Sequence, residues 1–132
     1  MNWAFHYRVV GRVLCWIGLV TITVLSVVPA KERPVTDAAY WFGVWKGHVL
    51  EHVTAFAPVA AAFAIGYHRL SLRRLLLLAF LFCGEIELLQ VPLPTRHATV
   101  LDFVIDLAGS WFAIAIIVVG EIVLAQSPRY RA

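Results

Sequence analysis

Hydrophobic residues fill four long stretches of the chain, and polar residues collect between these stretches and at their ends. The stretches cover residues 12–28, 48–67, 72–90 and 100–124. Each is close to the ~20 residues that an α-helix needs to cross the ~30 Å hydrocarbon core of a bilayer. A lone strand would leave its backbone groups unpaired in lipid, so the pattern predicts helices. We therefore expect an all-α fold, a polytopic membrane bundle of four transmembrane helices forming a single domain over residues 1–132.

Composition supports a membrane protein. Hydrophobic residues make up 61% of the 132 residues and charged residues 14%, whereas soluble domains carry about 25% charged residues. The net charge of +3 is spread over the chain ends and loops, so it does not form the basic stripe of a nucleic-acid-binding face. Cys15 and Cys83 lie inside apolar stretches without CxxC spacing, which predicts small core residues and neither a zinc site nor a disulfide framework.

The first apolar stretch has an alternative interpretation as a secretory signal peptide. Arg8 and Arg12 precede it, and residues 28–30 loosely fit a cleavage site. The apolar core of a signal peptide is usually about 7–15 residues long, and this run is longer. A transmembrane helix is therefore the favoured interpretation.

The distribution of basic residues predicts an orientation in the cell (inner) membrane. The short connection between the second and third stretches, residues 68–74, reads HRLSLRR. Cytoplasmic loops are rich in Lys and Arg, which favours placing this loop, the N-terminus and the C-terminus inside. The outer ends of the second, third and fourth helices then face the outside or periplasm, and membrane lipids are the expected surroundings.

Polar groups gather at those outer ends, chiefly over residues 83–106, CGEIELLQVPLPTRHATVLDFVID. A charge at the centre of a membrane helix costs about 2.5–3.5 kcal/mol on insertion scales, so intramembrane acids indicate a functional site. The acids there outnumber the basic residues Lys46 and Arg96, which predicts protonated acids or a bound cation, metal or basic ligand group, with protonation the simpler explanation. Arg96 is expected to lie over the acids, where a guanidinium pairs with carboxylates through two hydrogen bonds. The acids are Glu51, Glu85, Glu87, Asp102 and Asp106.

Helical periodicity predicts which of these acids point the same way. Residues three and four apart share a helix face, which pairs Asp102 with Asp106 and Glu87 with Gln90. Glu85 lies about 200° round the helix from Glu87, so both cannot point inward. We expect Glu87 to be the inward one, because Gln90 shares its face.

A short pattern in the second helix invites a metal hypothesis. The run His48-Val49-Leu50-Glu51-His52 matches the inverted zincin pattern H-x-x-E-H. The spacing puts both histidines on one helix face, yet a zinc site also needs a third ligand at the same point. The favoured expectation is an interfacial histidine pair without a metal.

The order of these motifs resembles the VanZ-like family of small bacterial membrane proteins. The resemblance covers about residues 26–116 and rests on EHVTAF, GEIELLQ and TRHATVLDFVIDLAG. Two positions depart from the family pattern, since His48-Val49 stands where the family usually has Asp-Lys, and Asp106 stands where it usually has Asn. The positions that match the pattern are His52, Phe56, Glu87, Gln90, Arg96, Asp102 and Gly109.

The resemblance implies a link to envelope-acting, glycopeptide-type antibiotics, without a settled biochemical activity or a known cofactor. We expect the chain to bind or act on a lipid-linked or peptidoglycan-related component. Glu87 and Asp102 are then the candidate catalytic residues, and the candidate ligand-binding residues are His52, Gln90, Arg96 and Asp106. Two alternatives stay open, a structural or assembly protein whose polar cluster only fixes helix packing, and a small transporter or proton relay. The sequence leaves open whether the protein is an enzyme and how many copies assemble.

Overall fold

Four helices account for almost all of the chain that the structure, a computed structural model, describes. It describes residues 3–29, 44–94 and 98–126, with side chains from residue 6 in the first range and residue 47 in the second. Within these ranges no β-strand forms, which confirms the all-α prediction. The helices are α1 (Trp3–Val27), α2 (Val44–Gly66), α3 (Leu72–Gln90) and α4 (Val100–Gln126).

The helix ends differ most from the prediction at the start of α1, which begins at Trp3 and not at residue 12. Hydropathy reports only the apolar part of a helix, whereas backbone hydrogen bonds continue into polar residues. α2 likewise begins at Val44, and it continues through Pro58. The predicted third helix, residues 72–90, coincides with α3.

Three of these helices are long and apolar enough to cross a membrane. The segments are His6–Val27, Gly47–Gly66 and Val100–Gln126. Large apolar side chains on their outer faces, such as Trp16 and Phe112, are exposed. Soluble proteins rarely expose apolar surface on this scale, so the bundle has the character of a membrane protein.

Glycine residues bring α1 and α2 into close contact. A Cβ atom on Gly66 would lie 2.7 Å from the backbone nitrogen of Arg12, and one on Gly11 would lie 3.0 Å from the nitrogen of Gly66. The Arg12 Nε–H donates to the Gly66 carbonyl at 2.9 Å, which satisfies an acceptor at the end of α2. Trp16 Nε1 donates to the Tyr67 hydroxyl at 3.0 Å. These contacts hold α1 against the C-terminal end of α2.

α2 and α4 pack side by side and run in the same direction. A Cβ atom on Gly109 would lie 3.6 Å from the Cα of Val53, an ordinary van der Waals contact. Small residues on both helices, including Ala60, Ala64 and Ala113, belong to one buried cluster. Small residues let helix backbones approach closely in membranes. Because the helices are parallel, residues four apart on α2 can meet residues four apart on α4.

Candidate functional site

Two histidines of α2 pair with two aspartates of α4. His48 Nε2 lies 2.7 Å from Asp102 Oδ1, and His52 Nδ1 lies 2.8 Å from Asp106 Oδ1. The two imidazole rings meet edge to face with centroids 4.5 Å apart. We call these four residues the His–Asp site. The sequence-predicted faces are confirmed, since each i, i+4 pair points at the other helix.

Burial increases along the His–Asp site. The side chain of His48 is 40% exposed and that of Asp102 is 12% exposed. One turn further into the bundle, the side chain of His52 is 21% exposed and that of Asp106 only 1%. The site therefore opens at the end of the bundle where α2 and α4 begin, and its deepest group is a carboxyl shielded from solvent.

Asp106 is engaged through only one of its two oxygens. Its Oδ1 meets His52 Nδ1, and its buried Oδ2 has no hydrogen-bond partner among the residues that the structure describes. An ionised carboxylate can only accept hydrogen bonds, so in that state the proton of this contact belongs to Nδ1 of His52. In the neutral ring, Nε2 of His52 is then the nitrogen with a free lone pair.

Glu87 supplies a cap for the start of α4. The Thr99 backbone N–H donates to Glu87 Oε2 at 2.9 Å, and the Asp102 N–H donates to Thr99 Oγ1 at 3.0 Å. In a capping box the acid three residues after the cap would accept from the cap's own N–H. Here Glu87 of α3 accepts the hydrogen bond from the Thr99 N–H, which leaves the Asp102 carboxylate free to contact His48.

The predicted phase of α3 is confirmed. Glu85 is exposed, whereas Glu87 is partly buried and bonds to Thr99. Gln90 is partly buried at the C-terminal end of the same helix. Arg96 lies outside the described residues, so its predicted position over the acids stays a prediction.

An apolar cavity of about 340 Å³ lies directly below the His–Asp site. Phe56 and Ser110 line it, and each follows a site residue by four positions, which places the cavity one helical turn deeper. Trp16 of α1 and Leu78 of α3 also line it. Both are substantially exposed on the outside of the bundle, so the cavity reaches the bundle surface between α1 and α3.

Three donor groups of the site are close enough to share a metal ion. One potential ligand atom from each of His48, His52 and Asp102 lies within 4.8 Å of the others. Asp102 is the third donor that the H-x-x-E-H pattern lacked, and it comes from another helix. His48 was not among the candidate catalytic or ligand-binding residues predicted from the sequence, and Thr99 had no predicted role. The Thr-x-x-Asp pattern at residues 99–102 was the available signal for the cap.

Comparison with protein-family models gave no match, and comparisons with curated proteins and with solved structures gave none either. The resemblance to the VanZ-like family therefore stays a prediction.

Proposed function

We propose that this chain is a VanZ-like integral membrane protein that binds or acts on a lipid-linked component of the cell envelope. One observation carries the proposal, the stacking of a polar His–Asp site on an apolar cavity within the same bundle. An amphiphile is complementary to this combination, because it joins a polar head group to an apolar chain. The head group would contact the His–Asp site, and part of the chain would fill the cavity.

α3 is the proposed fourth membrane-spanning helix. Its 19 residues extend about 29 Å at ~1.5 Å per residue, close to the hydrocarbon thickness. Its charged residues lie near its two ends, with Arg73 and Arg74 in the first turn and Glu85 and Glu87 in the last turns. Long side chains at helix ends can reach the interface, so these charges are compatible with a span.

The proposed orientation is N-in and C-in in the inner membrane, with the His–Asp site facing outside. Arg69, Arg73 and Arg74 are exposed at the turn between α2 and α3. This turn follows the C-terminal end of α2, whereas His48 lies near its start, so the two occupy opposite ends of the bundle. The positive-inside rule places the arginine-rich turn in the cytoplasm, which leaves the His–Asp site on the outer side.

The proposed roles follow the accessibility of each group. His48 and Asp102 form the more exposed pair and are the proposed acid/base or binding groups for the head group. His52 and Asp106 lie deeper and would position them. Glu87 is occupied in capping α4, so we assign it a positioning role rather than the catalytic role expected from the sequence. Gln90 and Arg96 remain proposed ligand-binding residues, with Arg96 suited to an anionic head group.

The cavity allows the proposal to be tested without assuming a reaction. Leu78 lines the cavity and is 45% exposed, whereas Leu81 on the same helix is 54% exposed and does not line it. We expect Leu78→Trp to reduce binding of a fluorescent short-chain polyprenyl phosphate by the purified protein at least about tenfold, and Leu81→Trp to leave binding unchanged. Equal binding by wild type and both variants would contradict the proposal.

A cellular assay tests the link to antibiotics separately. Asp102→Asn should change susceptibility to glycopeptide-type antibiotics while membrane abundance stays at the wild-type level. Glu85→Gln is the matched control, because Glu85 is exposed. Loss of abundance in parallel with the phenotype would favour the structural alternative, in which the polar contacts only hold the helices together.

A further inference from the structure

We infer that His48, His52 and Asp102 form a binding site for a divalent transition-metal ion of the zinc type, with Asp106 orienting His52. This inference goes beyond the proposed function, which requires only a polar site. It rests on the convergence of three donors from two helices, on the contact between Asp106 and His52, and on the unpartnered oxygen of Asp106.

The separations between the donors suit a small ion. Tetrahedral zinc with bonds of about 2.0–2.2 Å to nitrogen and oxygen has ligand atoms about 3.3–3.6 Å apart. The three donor atoms lie within 4.8 Å of one another, and one pair, His48 Nε2 and Asp102 Oδ1, is at 2.7 Å. If an ion replaced the proton shared by these two atoms, the distance between them would increase by less than about 1 Å. Small side-chain rotations therefore suffice.

Asp106 has the geometry of a residue that supports a metal ligand. Histidine ligands commonly donate their other ring N–H to a carboxylate, which sets the tautomer and strengthens the ligating nitrogen. His52 makes this contact through Nδ1 to Asp106, which directs Nε2 away from Asp106. The His48 ring lies beside the His52 ring, with the two centroids 4.5 Å apart.

The buried oxygen of Asp106 supplies an independent reason to expect a cation. The Asp106 side chain is 1% exposed, and its Oδ2 has no hydrogen-bond partner within the described part of the chain. A buried carboxylate is costly unless a positive charge balances it. A divalent ion bound to His52, which is itself hydrogen-bonded to Asp106, would provide that positive charge. The same ion would lie next to Asp102 and near Glu87.

The ligand set leaves room for a further ligand. Two histidines and one carboxylate make three protein ligands, and zinc sites with three protein ligands keep a fourth position for water or substrate. Because His48 is 40% exposed, a ligand could reach this position from the end of the bundle where α2 and α4 begin. Phosphate or carboxylate oxygens of a ligand are suitable occupants.

The test measures metal binding by the purified full-length chain in detergent, after removal of any affinity tag and treatment with a chelator. Zn²⁺ is titrated by calorimetry, and Co²⁺ is used as a spectroscopic probe, since a tetrahedral N/O site gives visible absorption bands. We expect one ion per chain and a melting temperature that rises with Zn²⁺ concentration. Asp102→Asn and His48→Gln should each weaken binding at least about tenfold, and Asp106→Asn about 10- to 100-fold.

His68→Gln and Glu85→Gln are the matched controls, because they remove a histidine and an acid outside the site. His48→Gln should fold, since His48 is 40% exposed, and its metal-free melting temperature verifies this. Wild-type protein that binds no Zn²⁺ would overturn the inference, as would Zn²⁺ binding that is unchanged in His48→Gln and Asp102→Asn. When the lipid-binding assay is repeated on chelator-treated protein, the inference and the proposed function can fail separately.

Discussion

Removing one histidine from each His–Asp pair should give two very different losses of stability. His48→Ala and His52→Ala delete the same side chain from the same helix, one turn apart. In His52→Ala, Asp106 would lose the hydrogen bond of its Oδ1, and its Oδ2 already has no partner among the described residues, although the side chain is only 1% exposed. In His48→Ala, the Asp102 side chain is 12% exposed and its lost partner was 40% exposed, so water can replace the missing contact.

The expected magnitudes follow from these exposures. Leaving a buried polar group unsatisfied costs about 1–3 kcal/mol, and the additional packing lost around His52 places His52→Ala at about 2–3 kcal/mol. Exposed ion pairs contribute about 0–1 kcal/mol, so His48→Ala should cost less than about 1 kcal/mol. Interhelical polar contacts in membranes reach at most about 1.7 kcal/mol in double-mutant cycles, which limits the coupling between His52 and Asp106.

The free energy of unfolding can be measured by denaturant titration in mixed micelles, in the presence of a chelator so that metal binding does not contribute. The double variant His52→Ala/Asp106→Ala is the decisive control. If the cost comes from a stranded carboxyl, the double variant should be little less stable than His52→Ala alone. The reasoning would be refuted if His48→Ala cost as much stability as His52→Ala. It would also be refuted if the loss in the double variant equalled the sum of the losses in His52→Ala and Asp106→Ala.

Two further predictions concern the packing of α1 and the start of α4. Gly66→Ala should destabilise the protein by about 1–3 kcal/mol, because the new Cβ would lie 2.7 Å from the Arg12 nitrogen. At Gly120, no other helix in the described part of the chain comes within 4 Å of a new Cβ, so Gly120→Ala should be neutral or stabilising by up to about 1 kcal/mol through helix propensity. Equal melting temperatures for Gly66→Ala and Gly120→Ala would contradict the close contact at Gly66. Glu87→Ala should cost about 1 kcal/mol of unfolding free energy and speed amide hydrogen exchange at Thr99, because Glu87 accepts a hydrogen bond from the Thr99 N–H. Glu85→Ala, the control, should have neither effect. An unchanged exchange rate at Thr99 in Glu87→Ala would refute the capping role.

Local periodicity was sufficient to predict the helices and their faces. The third helix matched its predicted range, and the inward position of Glu87 relative to Glu85 followed from helical phase alone. The pairing of Asp102 with Asp106 on one face followed in the same way. These features depend on residues within a few positions of one another, where the geometry of the α-helix leaves little freedom.

The partners of these residues could not be predicted from periodicity. His48 meets Asp102 and His52 meets Asp106 because α2 and α4 run parallel in one particular register, and no local pattern encodes a register between helices that are not consecutive. The role of Glu87 depended on the same kind of information, since its acceptor oxygen bonds to an amide at the start of another helix. The apolar cavity likewise depends on tertiary packing, because residues of all four helices line it.

The sequence by itself determined that this is an apolar, helical chain whose acidic groups collect mainly at the start of the second and fourth helices and the end of the third. Hydropathy and helical phase carry that information, because they depend on composition and on a fixed number of residues per turn. Only the tertiary structure decided that two of those faces meet as paired histidines and aspartates, with Asp102 supplying a third potential metal ligand across the interface. The physical reason is that side-chain chemistry needs contacts of about 3 Å, and such contacts between helices are set by packing at positions such as Gly109 and Val53.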